Sequence, residues 1–152
     1  MEEVIIKIKD KSNELLEALG FEGEPIVKQN ESTIIVNIET DEAPLLIGKR
    51  GENLRALEHL LRILVGAELD DRVNIVLDVA GYRDKNTERV KRDAKERACA
   101  VVSTGDEYDM PPMSAFDRRI VHVVCKDIAD VDTESAGYGR DRRVKIKPKK
   151  KA

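Results

Sequence analysis

Apolar residues alternate with polar ones in three short segments of the first half of the chain. The segments are PIVKQ (25–29), STIIVNIE (32–39) and RVNIVLDV (72–79). Their β-branched residues favour strands, and Asn30 and Glu31 are typical turn residues between the first two. We therefore predict three strands. The residues predicted to share one face of the second strand are Ile34, Val36 and Ile38.

After Gly51 the apolar residues recur at steps of three and four, which predicts an amphipathic helix. Its predicted apolar face consists of Leu54, Leu57, Leu61 and Leu64. Its predicted polar face carries Arg55, His59 and Arg62. A short helix or turn is predicted at residues 43–47, before this amphipathic helix. Pro44 is compatible with a helix there, because the N–H that proline lacks would be unpaired at an early helical position.

The start of the chain has an ambiguous pattern. Residues 4–19 place leucines and isoleucines at helical spacing, but the β-branched run VII at the beginning favours a strand. A helix is favoured, firmly only after Lys11, with Gly20 as its end. A shorter helix that is capped by Ser12 is the alternative.

The second half predicts a further set of helices and strands. A long and highly charged helix is predicted at 82–102, followed by a loop with a short strand at 103–112. Residues 133–147 predict a hairpin-like pair of strands that turns at 137–139. The fold class is therefore α/β (α+β) with two small domains, at 1–80 and 81–148, joined without a loose linker. Residues 149–152 are predicted to form a basic tail.

One more helix is predicted in SAFDRRIVHVVCKD, where Ser114 and Asp117 have the spacing of a capping box. At steps of about 100° per residue, one side of this helix is apolar and is predicted to pack into the core. That side consists of Phe116, Ile120, Val123 and Val124. Another side is predicted to form a solvent-facing ridge of cations. The ridge consists of Arg118, His122 and Lys126, with Arg119 beside them.

This ridge is a candidate phosphate-binding surface, and a solvated polar face with a bystander histidine is the alternative. Histidine has a reference pKa near 6.5, so His122 is expected to gain charge close to neutrality. We therefore expect phosphate binding by this side of the helix to strengthen as the pH falls.

The turn GKRG places two cations between two glycines, directly before a predicted helix. Such a turn suits a phosphate, because glycines let a sugar-phosphate backbone approach the main chain. The N–H groups and the dipole of the following helix also favour an anion. The spacing is not that of a nucleotide-triphosphate loop. An ordinary tight turn is the alternative for the motif taken alone.

The order of elements around the turn adds to this interpretation. Helix, strand, strand, short helix, GKRG, long helix and strand is the order of the KH fold in its bacterial form, whose GXXG loop clamps about four nucleotides. Leu46 and Ile47 are expected to line an apolar groove for the bases. The chain has only five aromatic residues, so a base-stacking sheet is not predicted.

Charge is distributed unevenly, although the net charge is only -3. Residues 1–47 hold 4 basic and 11 acidic residues, whereas residues 138–152 hold 8 basic and 1 acidic residue. A basic end suggests a polyanionic partner, and a solubilising tail is the alternative. The two cysteines and two histidines form no metal motif, and no paired carboxylates or activated nucleophile are seen. No metal, cofactor, catalytic activity or membrane insertion is predicted, and the location is expected to be cytoplasmic.

Four segments together resemble the Jag (SpoIIIJ-associated) family of bacterial RNA-binding proteins, in which a KH domain is followed by an R-three-H domain. They are LLIGKRGENLRALEHL, LDVAGYR, MSAFDRRIVH and GRDRRVKIKPK, and they place the resemblance over about residues 12–150. The resemblance implies that the GXXG loop falls on 48–51, and that the signature arginine and histidine fall on Arg118 and His122. Many members have another basic residue where this chain has Asn86. Many also carry an additional N-terminal domain, whose function is not expected of this sequence.

The expected function is binding of single-stranded RNA, as a post-transcriptional regulator or an RNA chaperone-like factor. The expected site comprises Ile47, Gly48, Lys49, Arg50, Gly51, Arg118, Arg119, His122, Lys126, Arg142 and Arg143. Single-stranded DNA is a second ligand class for the R-three-H domain. The alternative is a scaffold protein linked to cell-envelope growth, division and cell shape, which uses the KH fold to bind a small KH-domain protein.

Overall fold

The computed structural model describes residues 1–69 and 73–150 of the chain. The predicted strand and tail positions 72, 151 and 152 lie outside the described residues. Two units are formed, the first comprising Met1–Arg83 and the second beginning at Asp84. Each unit has its own core of buried apolar residues.

The first unit consists of three helices and three strands. The helices are α1 (Glu2–Leu19), α2 (Ala43–Ile47) and α3 (Glu52–Gly66). The strands are β1 (Glu24–Asn30), β2 (Thr33–Glu39) and β3 (Asn74–Val79). Strand β2 is central, antiparallel to β1 and parallel to β3. The predicted strands and their order along the chain are confirmed.

Helix α1 settles the ambiguity at the start of the chain. It is helical from Glu2 onward, and the N–H of Gly20 donates to the carbonyls of Glu17 and Leu16 in a left-handed cap. The alternative of a shorter helix capped by Ser12 is wrong. That side chain is buried in mid-helix, and its Oγ donates to the carbonyl of Ile8 at 2.7 Å.

The core of the first unit lies between the sheet and helices α1 and α3. The predicted inner face of β2 is confirmed, since Ile34, Val36 and Ile38 are all buried. The predicted apolar face of α3 is right at three positions and wrong at Leu64, which is exposed. Val65 is buried in its place, because a step of four after Leu61 stays in line with the preceding leucines.

The second unit consists of two helices and a small antiparallel sheet. The helices are α4 (Tyr82–Thr104), which begins at the end of the first unit, and α5 (Ala115–Lys126). The strands are β4 (Tyr108–Asp109), β5 (Val131–Ala136) and β6 (Arg143–Pro148), in the order β4-β6-β5. The predicted long helix, short strand and hairpin are thus confirmed.

Helix α5 packs with a different side from the predicted one. Val121 and Cys125 are buried, whereas Phe116 and Val123 are 65% and 59% exposed. Apolar residues occur on more than one side of this helix, so its periodicity alone does not select the side that meets the sheet. Ile120 and Val124 are partly buried at the edge of the core.

The start of α5 is held by two hydrogen bonds. The Oγ of Ser114 accepts from the N–H of Asp117 at 3.2 Å, as expected of an N-cap. The carboxylate of Asp117 accepts from Nδ2 of Asn86 on α4 at 2.9 Å. Both side chains are buried, so Asn86 meets this carboxylate with a neutral donor.

Candidate nucleic-acid interface

The GKRG turn lies between α2 and α3 and is built from unusual backbone angles. Gly48, Arg50 and Gly51 have φ values of 69°, 56° and 72°. The N–H of Gly51 donates to the carbonyl of Gly48 at 3.3 Å, and the N–H of Gly48 donates to the carbonyl of Pro44 at 3.0 Å. Glycine adopts such positive φ values without strain, which explains its presence at both ends of the turn.

Packing also disfavours a side chain at both glycines, more strongly at Gly48 than at Gly51. A Cβ atom at Gly48 would lie 2.6 Å from the side-chain carbon Cγ of Asn53, and one at Gly51 would lie 3.1 Å from the Tyr82 ring. Asn53 is fixed in turn, because its Nδ2 donates to the carbonyl of Leu45 at 2.9 Å. The glycines are therefore needed by the turn itself, beyond any approach of a ligand.

The cations of the turn point away from the core of the first unit. Lys49 is exposed and Arg50 is partly exposed. Arg55 adds a third cation that was not predicted as part of the site, since its guanidinium donates to the carbonyl of Arg50 at 2.9 Å. Helix α3 begins here with Glu52. The negative charge of Glu52 interacts favourably with the helix dipole, but it repels any further anion that approaches the helix start.

The apolar residues beside the turn differ from the prediction. Leu46 is buried in the core, so the expectation that it lines a groove is wrong. Ile47 is partly buried against the same core. Leu45 is instead 63% exposed and is the large apolar side chain next to the turn that faces solvent. Three consecutive apolar residues at 45–47 gave no signal for which one would point outward.

His122 does not lie on a solvent-facing ridge. Its Nδ1 is 2.7 Å from the hydroxyl of Thr133, and its Nε2 is 2.9 Å from the hydroxyl of Ser135, both on β5. Hydroxyl groups donate as well as accept, so a neutral ring satisfies both contacts. This histidine therefore joins α5 to β5, and neither ring nitrogen is left to donate to a phosphate.

The pKa of His122 is lowered from its ordinary value, first by burial and second by the positive charge of Arg118. The protonation expected near neutrality is thus disfavoured. Arg118 is also engaged within the unit, because its guanidinium donates to the carbonyl of Met113 at 2.8 Å. The two signature residues are adjacent, as the R-x-x-x-H spacing requires, but both make internal contacts.

The remaining predicted cations of the second unit divide into two groups. Arg119 and Lys126 are exposed on α5. Arg142 and Arg143 are partly buried, and their guanidinium groups donate to the carbonyls of Gly137 and Asp141 at 3.0 and 3.2 Å. They thereby brace the link between β5 and β6.

That link presents Tyr138, which was not predicted as a site residue. Its side chain is 90% exposed, and it stands between two glycines with positive φ. The triplet GYG was the signal that could have identified it, because an aromatic residue in a glycine-rich turn has little to pack against.

Two properties of the described residues bear on other functions. Within residues 1–69 and 73–150, no helix is long and apolar enough to cross a membrane. In the same residues, no group of three or more histidine, cysteine or acidic side chains is arranged to hold a metal ion.

Comparison with known protein families accounts for nearly the whole chain. The KH domain model matches residues 6–81, and the R-three-H domain model matches residues 85–148. An "RNA-binding protein KhpB" of Clostridium symbiosum is 32% identical over 149 residues, which cover 94% of this chain and 67% of that protein. The chain belongs to the KhpB family. The resemblance to the Jag family and the predicted two-domain fold are confirmed.

Other KhpB proteins match at similar levels. One from Bacillus subtilis is 30% identical over 90% of this chain and 66% of its own length. One from Lactiplantibacillus plantarum is 33% identical over 73% of this chain, but that match covers only 34% of its length. The chain therefore spans between about one third and two thirds of the KhpB proteins that it resembles.

Proposed function

We propose that this protein binds single-stranded RNA and acts in the cytoplasm without a catalytic step. The observation that carries the proposal is the GKRG turn. It holds two exposed or partly exposed cations, Lys49 and Arg50, at the start of α3 on a backbone that its own packing fixes. A preformed cationic turn binds phosphates at a low cost in conformational entropy.

Three further facts support the proposal. The turn falls inside the matched KH domain, and a second matched domain follows it directly. The relatives named above carry the name "RNA-binding protein". Arg55 lies against the turn, so three cations converge where the N–H groups of α3 begin.

The second unit supplies further contacts in this proposal. Arg119 and Lys126 are its exposed cations on α5, and Tyr138 offers a ring on which a base can stack. Arg118, His122, Arg142 and Arg143 support this surface by fixing α5 and the β5–β6 link. Single-stranded DNA is an alternative ligand for this unit, because phosphates and stacked bases are common to both nucleic acids.

The decisive experiment reverses the charge of the turn. Lys49→Asp combined with Arg50→Asp should abolish or strongly reduce RNA binding, because aspartates repel phosphates, while an exposed turn tolerates the change. Fluorescence anisotropy with a labelled single-stranded RNA measures affinity, and circular dichroism checks the fold.

A matched control is available on α1. The Nζ of Lys7 lies 4.0 Å from a carboxylate oxygen of Glu68, and Glu68 follows the C-terminal end of α3. The turn lies at the other end of this 15-residue helix, about 22 Å away along the helix axis. Lys7→Asp combined with Lys9→Asp changes the net charge equally, and it should leave most of the affinity intact. Equal losses for both double variants, or no loss for the turn variant, would overturn the assignment.

A second candidate function is association with another KH-domain protein. Helix α3 carries an exposed apolar stripe besides its buried face, formed by Leu60, Ile63 and Leu64. Apolar side chains that adjoin on one helix face favour a protein contact. Light scattering would detect such association, and Leu60→Lys with Ile63→Lys should prevent it without affecting RNA binding by the turn.

A further inference from the structure

An apolar groove lies along the side of α5 that was expected to face the core. Its volume is about 250 Å³, and it is bordered by Lys91 on α4 and by five residues of α5. Those five are Phe116, Arg119, Ile120, Val123 and Val124. Phe116 and Val123 are mostly exposed, so a phenyl ring and aliphatic side chains of the groove are accessible to solvent.

The charged groups that line the groove are both cations. Lys91 stands on the α4 side and Arg119 on the α5 side. Glu88 lies 3.7 Å from Lys91 on the exposed surface of α4. A solvent-exposed ion pair of this kind contributes little to stability, so Lys91 can leave Glu88 and pair with another anion.

We propose that this groove receives a base of single-stranded nucleic acid. In a nucleotide chain each base is carried by a sugar that has a phosphate on either side, and each of the two helices that border the groove supplies one cation. Phe116 and the guanidinium plane of Arg119 are the two kinds of surface on which unpaired bases stack. The inference rests on the proposed function and adds a base-binding position to the second unit, away from the Arg118 and His122 side of α5.

The chain contains no tryptophan, which provides a direct test. Phe116→Trp introduces a single indole into the groove of the 152-residue chain. Its emission should be quenched by an unlabelled oligouridine at saturation. An oligonucleotide of the same length with abasic sites should quench it far less, because the phosphates remain and the bases are missing.

Affinity provides the second measurement. Phe116→Ala should weaken binding of labelled oligouridine by about 5- to 160-fold, the range expected when one stacked base is lost. Phe116→Tyr retains the ring and should bind nearly as the wild type does. Val102→Ala is the control, because Val102 is also exposed on a helix of this unit but does not border the groove.

The possible outcomes separate this inference from the proposed function. If RNA binds through Lys49 and Arg50 while the indole emission of Phe116→Trp and the affinity of Phe116→Ala stay unchanged, the groove assignment fails and the function stands. If the indole emission shifts with protein concentration in the absence of RNA, the groove is a protein contact and the inference is overturned. If the wild type binds no RNA, both fail.

Discussion

At the scale of single residues, His122 shows how a signature residue can serve the fold. Its ring bridges two hydroxyl groups of β5, and burial beside Arg118 favours the neutral form. The histidine thus fixes the strand against the helix that carries Arg119 and Lys126. In the proposed function, its contribution to RNA binding is indirect, through the position of those cations.

The lowered pKa of His122 predicts a pH dependence of stability. The unfolded chain binds a proton near pH 6.5 while the folded unit resists it, so the unfolding free energy should fall as the pH drops below about 6.5. Urea unfolding at pH 7.5, 6.5 and about 5.5 measures this loss. His122→Gln should be less stable at pH 7.5 but should show a flatter profile.

Equal pH profiles for the wild type and His122→Gln would show that other groups cause any loss. His59→Gln is the control, since His59 is an exposed histidine of the first unit. It should leave the pH profile of the second unit unchanged.

At the scale of elements, the junction of α4 and α5 depends on a buried polar pair. The side-chain nitrogen of Asn86 donates to Asp117, and its side-chain oxygen accepts from Arg89 at 2.7 Å. The nitrogen and the oxygen of this amide are therefore both hydrogen-bonded. Asn86→Ala should lower the unfolding free energy by about 1–3 kcal/mol, because the carboxylate loses a donor where water has limited access.

Urea unfolding measures this cost, and Asn13→Ala serves as the control. Asn13 is exposed on α1, and alanine is favoured over asparagine inside helices, so that variant should be neutral or slightly more stable. An Asn86→Ala protein as stable as the wild type would show that Asp117 is held by its other neighbours.

The same scale shows what could be predicted from the sequence. Local rules placed the Gly20 cap, the GKRG turn and the Ser114 cap, because each depends on a few adjacent residues. The packed side of α5 depends on contacts with strands that follow it in the chain, so Phe116 and Val121 could not be ranked by periodicity. The outward position of Leu45 and the inward position of Leu46 were undetermined for the same reason.

At the scale of the whole molecule, the proposed RNA-binding surface includes cations of both units and of the basic end. If they neutralise about five phosphates, log K should fall with log[salt] with a slope of roughly -3.5 for a single strand. Titrations over a range of salt concentrations measure this slope. A flat dependence would mean that the cations only keep the protein soluble.

Removal of residues 149–152 tests the basic end separately. Lys149 and Lys150 are exposed, and the N–H of Lys149 donates to the carbonyl of Asp130 at 2.8 Å. The truncated protein should bind all RNA sequences more weakly by a similar factor and with a smaller salt slope, because phosphate contacts carry no sequence information. A change in sequence preference would instead indicate that the tail reads bases.

The parallel pairing of β2 with β3 has a consequence for synthesis on the ribosome. Strand β1 can form a hairpin with β2 as soon as Glu39 has emerged, but the other edge of β2 stays unpaired until Asn74–Val79 follows. Helices α2 and α3, together with the turn between them, lie within this interval. A nascent chain that stalls before β3 therefore exposes an open strand edge to other chains.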